Sequence, residues 1–416
     1  MKHRYLIKLC ALALTVMLVG LTGCKEDKGN EPDREDGKMK KTILLYAVAS
    51  NNLYSNLIND KQEIIMAVKD NDLDLRQHSI MVYEVIPNNK ENGETPRLLE
   101  LTRLNNGELE YIEVKKYDRS LYSTDPERVA EVIKDMQELR PSKTYGLIMW
   151  SHGLGWSPFF SERDSHPAET KSSEPLKANV PMQYSFGYDT NSTVGYTDKT
   201  DIDELADAIP ENVFEFIWFD ACMMTGIETI YEFRDKCRYF GGYPTEVFSP
   251  GMPYHHTIPY LLKEKADVAG CAREFFEYYA NNSYQLLRVA TVAVIDMLQL
   301  EKMADFCKTY YEGMPVPSAA GLDYYSGNQR VAYKYYDFGQ YTLAKIAESE
   351  DENAKRLFRE LLDNLIVYKN ATEKEFTGKT LNLDEYSGIS CHLYNPSQTG
   401  AAADYYRSLD WFKRVY

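Results

Sequence analysis

The 416 residues contain no Cys-x-x-Cys pair and no basic excess, and after residue 23 no apolar run is long enough to span a bilayer. Lys and Arg number 47 against 63 Asp and Glu, a formal net charge of −16. The basic stripe that a phosphate-backbone binder requires is therefore missing, and no nucleic-acid partner is expected. The seven cysteines are too scattered for a disulfide framework or a structural zinc site. No repeat period is visible, and no stretch after residue 41 is of low complexity. With 44% hydrophobic residues the chain can still bury a sizeable core. Its 33 tyrosines read as packing rather than as platforms for carbohydrate.

The amino terminus reads as targeting rather than structure. Lys2, His3, Arg4 and Lys8 make a basic start, and Leu9 to Gly20 is an apolar stretch of signal-peptide length. Leu21-Thr22-Gly23-Cys24 then reads as a bacterial lipobox, which makes residues 1–23 the signal peptide and Cys24 the lipidated membrane anchor. Lys25-Glu26-Asp27 resembles the signal that sends some Gram-negative lipoproteins to the outer face, so a surface-exposed outer-membrane lipoprotein is expected. Residues 24–40, rich in Lys, Glu, Asp and Gly, read as a flexible tether. Five cysteines remain beyond the anchor: Cys222, Cys237, Cys271, Cys307 and Cys391. An odd thiol in an oxidising compartment invites a chemical explanation.

From residue 41 onward strands alternate with amphipathic helices. Thr42 to Ala49, Ser79 to Ile86, Tyr145 to Trp150, Val213 to Phe219, Tyr239 to Tyr243 and Ala290 to Ile295 are strand-like runs. Residues 52–69 and 126–139 carry helical periodicity, and Asn105-Asn106-Gly107 marks a hairpin turn. This order predicts an α/β fold with a mostly parallel central sheet and helices on both faces. It is divided into a domain over 41–300 and a mainly helical subdomain over 301–416, with one further strand at Ser387 to Leu393.

Two strands end in chemistry. Tyr145 to Trp150 runs into Ser151-His152-Gly153-Leu154-Gly155-Trp156, and Val213 to Phe219 into Asp220-Ala221-Cys222-Met223. Ligands bind beyond the carboxyl ends of parallel strands, so both segments point at the functional edge. If the two strands are neighbours, His152 and Cys222 come within reach of each other as nucleophile and base for acyl transfer. Gly153 and Cys222 can then offer backbone N–H groups to the oxyanion. A lone Cys or His after a strand is usually core; the joint placement argues for catalysis. Asp220 is two residues from Cys222, a spacing that in extended chain faces one side, so both can open into one cleft. It can orient the histidine, bind a cationic substrate group, or cap the next helix.

Trp150-Ser151-His152-Gly153 with Gly155-Trp156, followed about seventy residues later by Phe219-Asp220-Ala221-Cys222-Met223, resembles the clostripain family of cysteine peptidases. Gly187-Tyr188-Asp189, Pro250-Gly251, Pro253-Tyr254 and Ser387-Gly388-Ile389-Ser390 extend the resemblance over about residues 41–396. The resemblance implies a caspase-like α/β/α sandwich, His152 and Cys222 as the catalytic dyad, and Asp220 at the base of a pocket for Arg or Lys. It also places Thr245 at the substrate site, where the family often has serine, while Met252 replaces a Gly-Trp-rich turn. Peptides or proteins cut after Arg or Lys are the implied substrates. A catalytically idle binding lipoprotein and a cysteine amidase on non-peptide amides are the competing readings.

Some relatives of that family use calcium, so the resemblance leaves an irregular acidic calcium site open, but nothing in the sequence locates one and no cofactor is expected. Asp189 to Thr193 begins like an EF-hand, yet Val194 and Thr200 stand where glycine and glutamate are needed, so an EF-hand is rejected. The polar stretch 157–186 is of the kind in which nicking concentrates. It leaves the His152 strand at the active edge, and Lys171 or Lys177 is the expected site of self-cleavage, in preference to Arg163.

Overall fold

Alternate residues of the first strand face opposite sides, and both sides are buried. In β1 (Met39–Val48), Ile43, Leu45 and Ala47 enter one core, while Leu44, Tyr46 and Val48 enter another. A strand apolar on both faces must lie between two layers of helix. The computed structural model describes residues 37–87, 90, 93, 95–158, 186–191, 196–313, 315–325, 334–347, 349 and 351–416. Cys24, the segment Lys25 to Asp27, Arg163, Lys171 and Lys177 lie outside the described residues.

The further strands are β2 (His78–Val85), β3 (Arg97–Arg103), β4 (Leu109–Lys116), β5 (Ser142–Trp150), β6 (Phe186–Asn191), β7 (Tyr196–Thr200), β8 (Phe214–Asp220), β9 (Cys237–Gly242), β10 (Thr291–Asp296), β11 (Tyr335–Asp337), β12 (Ile366–Ala371) and β13 (Ser390–His392). Nine of the strands form one sheet in the order β12-β10-β9-β8-β5-β1-β2-β3-β4. The central run β2-β1-β5-β8-β9 is parallel, and antiparallel strands extend it at both edges. Helices Tyr54–Asp70, Tyr254–Leu261 and Val268–Ala280 cover one face; Pro126–Leu139, Leu300–Tyr311, Phe338–Ala347 and Glu352–Leu365 are among those on the other. The result is an α/β/α sandwich in which β1, β5, β8 and β9 present their carboxyl ends at one edge.

Three departures from expectation have local causes. β12 follows its helix with no intervening turn residue and alternates half-exposed with exposed positions, so its apolar signal is weak. Between Ser387 and Leu393 only β13 forms, because Gly388 at φ +77° breaks the extended chain, and β13 pairs with β11 outside the main sheet. Among the described residues, the segments after residue 300 join the main core rather than building a separate one. β12 is a strand of the main sheet, and Phe358, Trp411 and Val415 share one cluster with Leu44, Met149 and Ile217.

Candidate active site

The sheet register brings the two motifs together. β5 and β8 are parallel neighbours, with Trp150 opposite Asp220, so His152 and Cys222 each follow two residues after a matched pair. A side chain at position 153 would not fit: its Cβ would stand 2.9 Å from the Cys222 carbonyl oxygen and 3.0 Å from Ala221 Cβ. Glycine is what lets the end of β5 lie against the nucleophile loop. Met223, directly after the cysteine, is held at φ +63°, a left-handed conformation that costs a non-glycine residue about 1–3 kcal/mol. Its N–H donates to the Thr245 carbonyl at 3.0 Å, and the Thr225 N–H donates to the Tyr243 carbonyl at 3.3 Å. The loop is thus clamped to the segment that follows β9.

The surroundings of both candidate groups favour their neutral forms. Burial foremost, with Glu246 and Asp220 adding to it, pushes the Cys222 thiol up to about 12. Its sulfur accepts from the Val247 N–H at 3.3 Å and faces the Val247 carbonyl at 3.8 Å. Burial, and next the charge of Lys199, holds His152 below its ordinary value. The imidazole Nε2 lies 2.9 Å from Asn52 Oδ1. With that oxygen as acceptor, Nε2 carries the proton and Nδ1 keeps the lone pair that a general base needs. Tyr188 meets the imidazole edge-on at 6.1 Å.

Asn52 is brought there by its neighbour. The Asn51 side-chain amide donates to the carbonyls of Val48 (2.9 Å) and Tyr188 (2.8 Å), and its oxygen accepts from the Leu53 N–H at 2.8 Å. Ser50-Asn51-Asn52 leaves β1 at the same edge as the two recognised motifs, and that position was the available signal for it. Lys199 carried no such signal, because it reaches His152 through the β6–β7 hairpin, and Tyr188 was marked only by its place in Gly187-Tyr188-Asp189.

Asp220 is enclosed. Its carboxylate accepts from the Met252 N–H (3.1 Å) and from the hydroxyls of Tyr254 (2.9 Å) and Tyr243 (3.2 Å), all neutral donors. Burial, only partly offset by those donors, raises it to about 6. Gly251 at φ +63° lies so close that a Cβ there would stand 2.7 Å from Asp220 Oδ2. Asp220 and Cys222 do not share a face as alternation predicts. The strand ends at Asp220, which turns toward Tyr243 and Tyr254, whereas Ala221 and Cys222 pack against the opposite core. Behind Asp220 lies a second acid, Asp60, which accepts from the Trp150 indole at 2.9 Å and is raised by burial, and next by Asp220, to about 9.

The Thr245 side chain points inward, not at the rim: it is 1% exposed, and its hydroxyl meets Thr291 Oγ1 at 2.6 Å and the Glu246 carbonyl at 2.9 Å. It bears on the site through its backbone carbonyl, which holds Met223. Asp189, the first position of the rejected EF-hand, is bound by Arg119 (2.6 Å) and by the Ser123 N–H (2.7 Å). Among the described residues no cluster of three or more His, Cys, Asp or Glu is placed to hold a metal ion.

Known proteins share the family and the fold of this chain. The clostripain family model covers residues 45–415. The chain belongs to the clostripain family. A secreted C11 cysteine protease from Bacteroides thetaiotaomicron, iotapain, is 26% identical with a TM-score of 0.72, over 91% of this chain and 100% of its own. An inactive zymogen C11 protease from Parabacteroides distasonis shares the fold at 24% identity and a TM-score of 0.70, over 91% of this chain and 99% of its own. No curated protein sequence matches the chain. As a clostripain-family member the protein is a cysteine endopeptidase.

Proposed function

We propose that this clostripain-family peptidase is a lipid-anchored surface enzyme that cuts after Arg or Lys and processes itself. The observation that carries the reading is the β5–β8 register, in which the strands that run into His152 and Cys222 are parallel neighbours. Cys222 Sγ attacks the scissile carbonyl carbon as its proton passes to His152 Nδ1, and the carbonyl oxygen becomes an oxyanion facing the N–H groups of Gly153 and Cys222. Collapse expels the amine, which takes that proton. Water, deprotonated by His152, then hydrolyses the thioester. Asp220 supports a basic P1 side chain, since its buried carboxylate has only neutral partners and gains most from a cation.

Turnover of peptide amides bearing Arg, Lys, Asp or Leu at P1 tests the reading. Arg and Lys are expected to lead, and equal turnover of Leu contradicts the pocket. Non-peptide acyl amides as the better substrates would favour the amidase reading.

Asn52 positions the base. Asn52→Ala is expected to lower kcat about 10–10²-fold with KM little changed, as for a lost orienting partner of a catalytic imidazole. Asn52→Asp keeps an acceptor but adds charge, so it moves the acid limb of kcat/KM to higher pH. An unmoved profile in both variants contradicts the role.

Self-cleavage at Lys171 or Lys177 and anchoring at Cys24 follow from the sequence. Native protein is expected to resolve into two associated fragments, and Cys222→Ala to stay one chain; clipping of Cys222→Ala at the same bond, with no other protease present, excludes self-processing. Cys24→Ser is expected to leave membranes with its specific activity intact. Protease shaving of intact cells checks the outward orientation.

A further inference from the structure

Just behind the nucleophile loop, three oxygens make no hydrogen bond to any protein group. They are Glu228 Oε2, Thr229 Oγ1 and Ser390 Oγ, and all three residues are 0% exposed. Their positions converge. A methyl group placed on the Cα of Gly226 would stand 3.4 Å from Glu228 Oε2, 3.4 Å from Ser390 Oγ and 3.8 Å from Thr229 Oγ1. The three therefore lie within 3.4–3.8 Å of one position beside the Cα of that glycine. Glu228 is held in place by its other oxygen, which accepts from the His392 N–H at 2.7 Å and the Tyr406 hydroxyl at 3.2 Å. A buried acceptor left alone forfeits its whole solvation, and native interiors rarely tolerate three such groups together.

We propose that a single water molecule is bound between these three oxygens, against Gly226. It donates one hydrogen to Glu228 Oε2 and one to a hydroxyl oxygen, and accepts the hydrogen of the other hydroxyl. Buried waters of this kind make about three hydrogen bonds to otherwise unsatisfied groups. Two of the three partners are hydroxyls, which donate as well as accept, and that suits water better than a metal ion, which takes only acceptors.

The place of the site gives the Ser387-Gly388-Ile389-Ser390 motif a task. The Ser390 N–H donates to the Thr225 carbonyl at 2.9 Å, and Thr225 Oγ1 donates to the Gly388 carbonyl at 3.1 Å. Gly226 and Ser390 also form a parallel bridge. The water completes this buckle, tying the helix Ile227–Glu232 and the loop from Cys222 to β13. It also gives a reason for glycine at 226, where the backbone itself (φ −77°, ψ 142°) would accept any residue.

Two measurements test the site. A crystal structure of the native protein at about 1.6 Å or better is expected to show one density peak about 2.6–3.2 Å from each of the three oxygens. No peak there, side chains turned to bond one another, or contacts near 2.4 Å that mark a metal ion would each overturn the proposal. Gly226→Ala discriminates in solution, because its methyl makes only ordinary contacts in the absence of water. With water bound, the methyl evicts it and Tm is expected to fall by about 2–6 °C. Without water, replacing glycine stiffens the unfolded chain, and an unchanged or raised Tm overturns the proposal.

Discussion

Asp220→Ala is expected to lower kcat/KM for peptides with Arg or Lys at P1 by about 10²-fold or more while leaving Leu at P1 nearly unchanged. The magnitude follows from burial. A P1 cation that enters this site loses its water, and without the carboxylate only the neutral hydroxyls of Tyr243 and Tyr254 remain to meet it. The same carboxyl gives the preference a pH signature. Burial raises Asp220 to about 6, so below that pH the free enzyme carries a neutral acid that cannot pair with a cation. The rate for Arg and Lys peptides should therefore fall as pH drops through about 6, with no matching step for Leu. Asp220 also ties Tyr243, Tyr254 and Met252 together, so Asp220→Asn, which keeps an oxygen acceptor, separates lost charge from lost packing. A Leu rate that falls as far as the Arg rate in both variants would assign Asp220 to structure.

Cys222→Ala and His152→Ala are expected to have larger effects still. Removing the nucleophile should reduce turnover by about 10⁴-fold or more, and removing either partner should cost nearly as much as removing both. The resting thiol is far from ionised: burial pushes it to about 12, and the imidazole is held below its ordinary value. Both shifts favour the neutral pair over a pre-formed thiolate–imidazolium pair, so the proton is expected to move to His152 as the sulfur attacks. The thiol also has to leave Val247, whose N–H it accepts and whose carbonyl it faces. A solvent isotope effect on kcat checks this coupling, and its absence would point to an ion pair formed before attack.

How far the sequence reveals this site depends on how local each signal is. The strand at Thr42 to Ala49 is readable because both of its faces are apolar, and the His152 and Cys222 motifs because each directly continues such a strand. β12 is nearly invisible, since a half-exposed edge strand carries no continuous apolar run. Asn52 lies 100 residues before His152 and meets it only because β1 and β5 are neighbours. Lys199 and Tyr188 arrive by a hairpin outside the main sheet. The Asp220–Cys222 pairing misleads for a simpler reason. Alternation holds only while the chain stays extended, and β8 ends at Asp220, with a left-handed residue three positions on.

The central claim is that Cys222 is the nucleophile of a basic-specific peptidase, and covalent labelling tests it most directly. The purified protein would be treated with peptidyl acyloxymethyl ketones bearing Lys or Leu at P1, and the adduct located by mass spectrometry. One adduct is predicted, on Cys222, forming at least about ten times faster with Lys than with Leu and lost on His152→Ala or on denaturation before treatment. Labelling spread over Cys237, Cys271, Cys307 or Cys391, or a Leu reagent that labels Cys222 as fast as the Lys reagent, would contradict it.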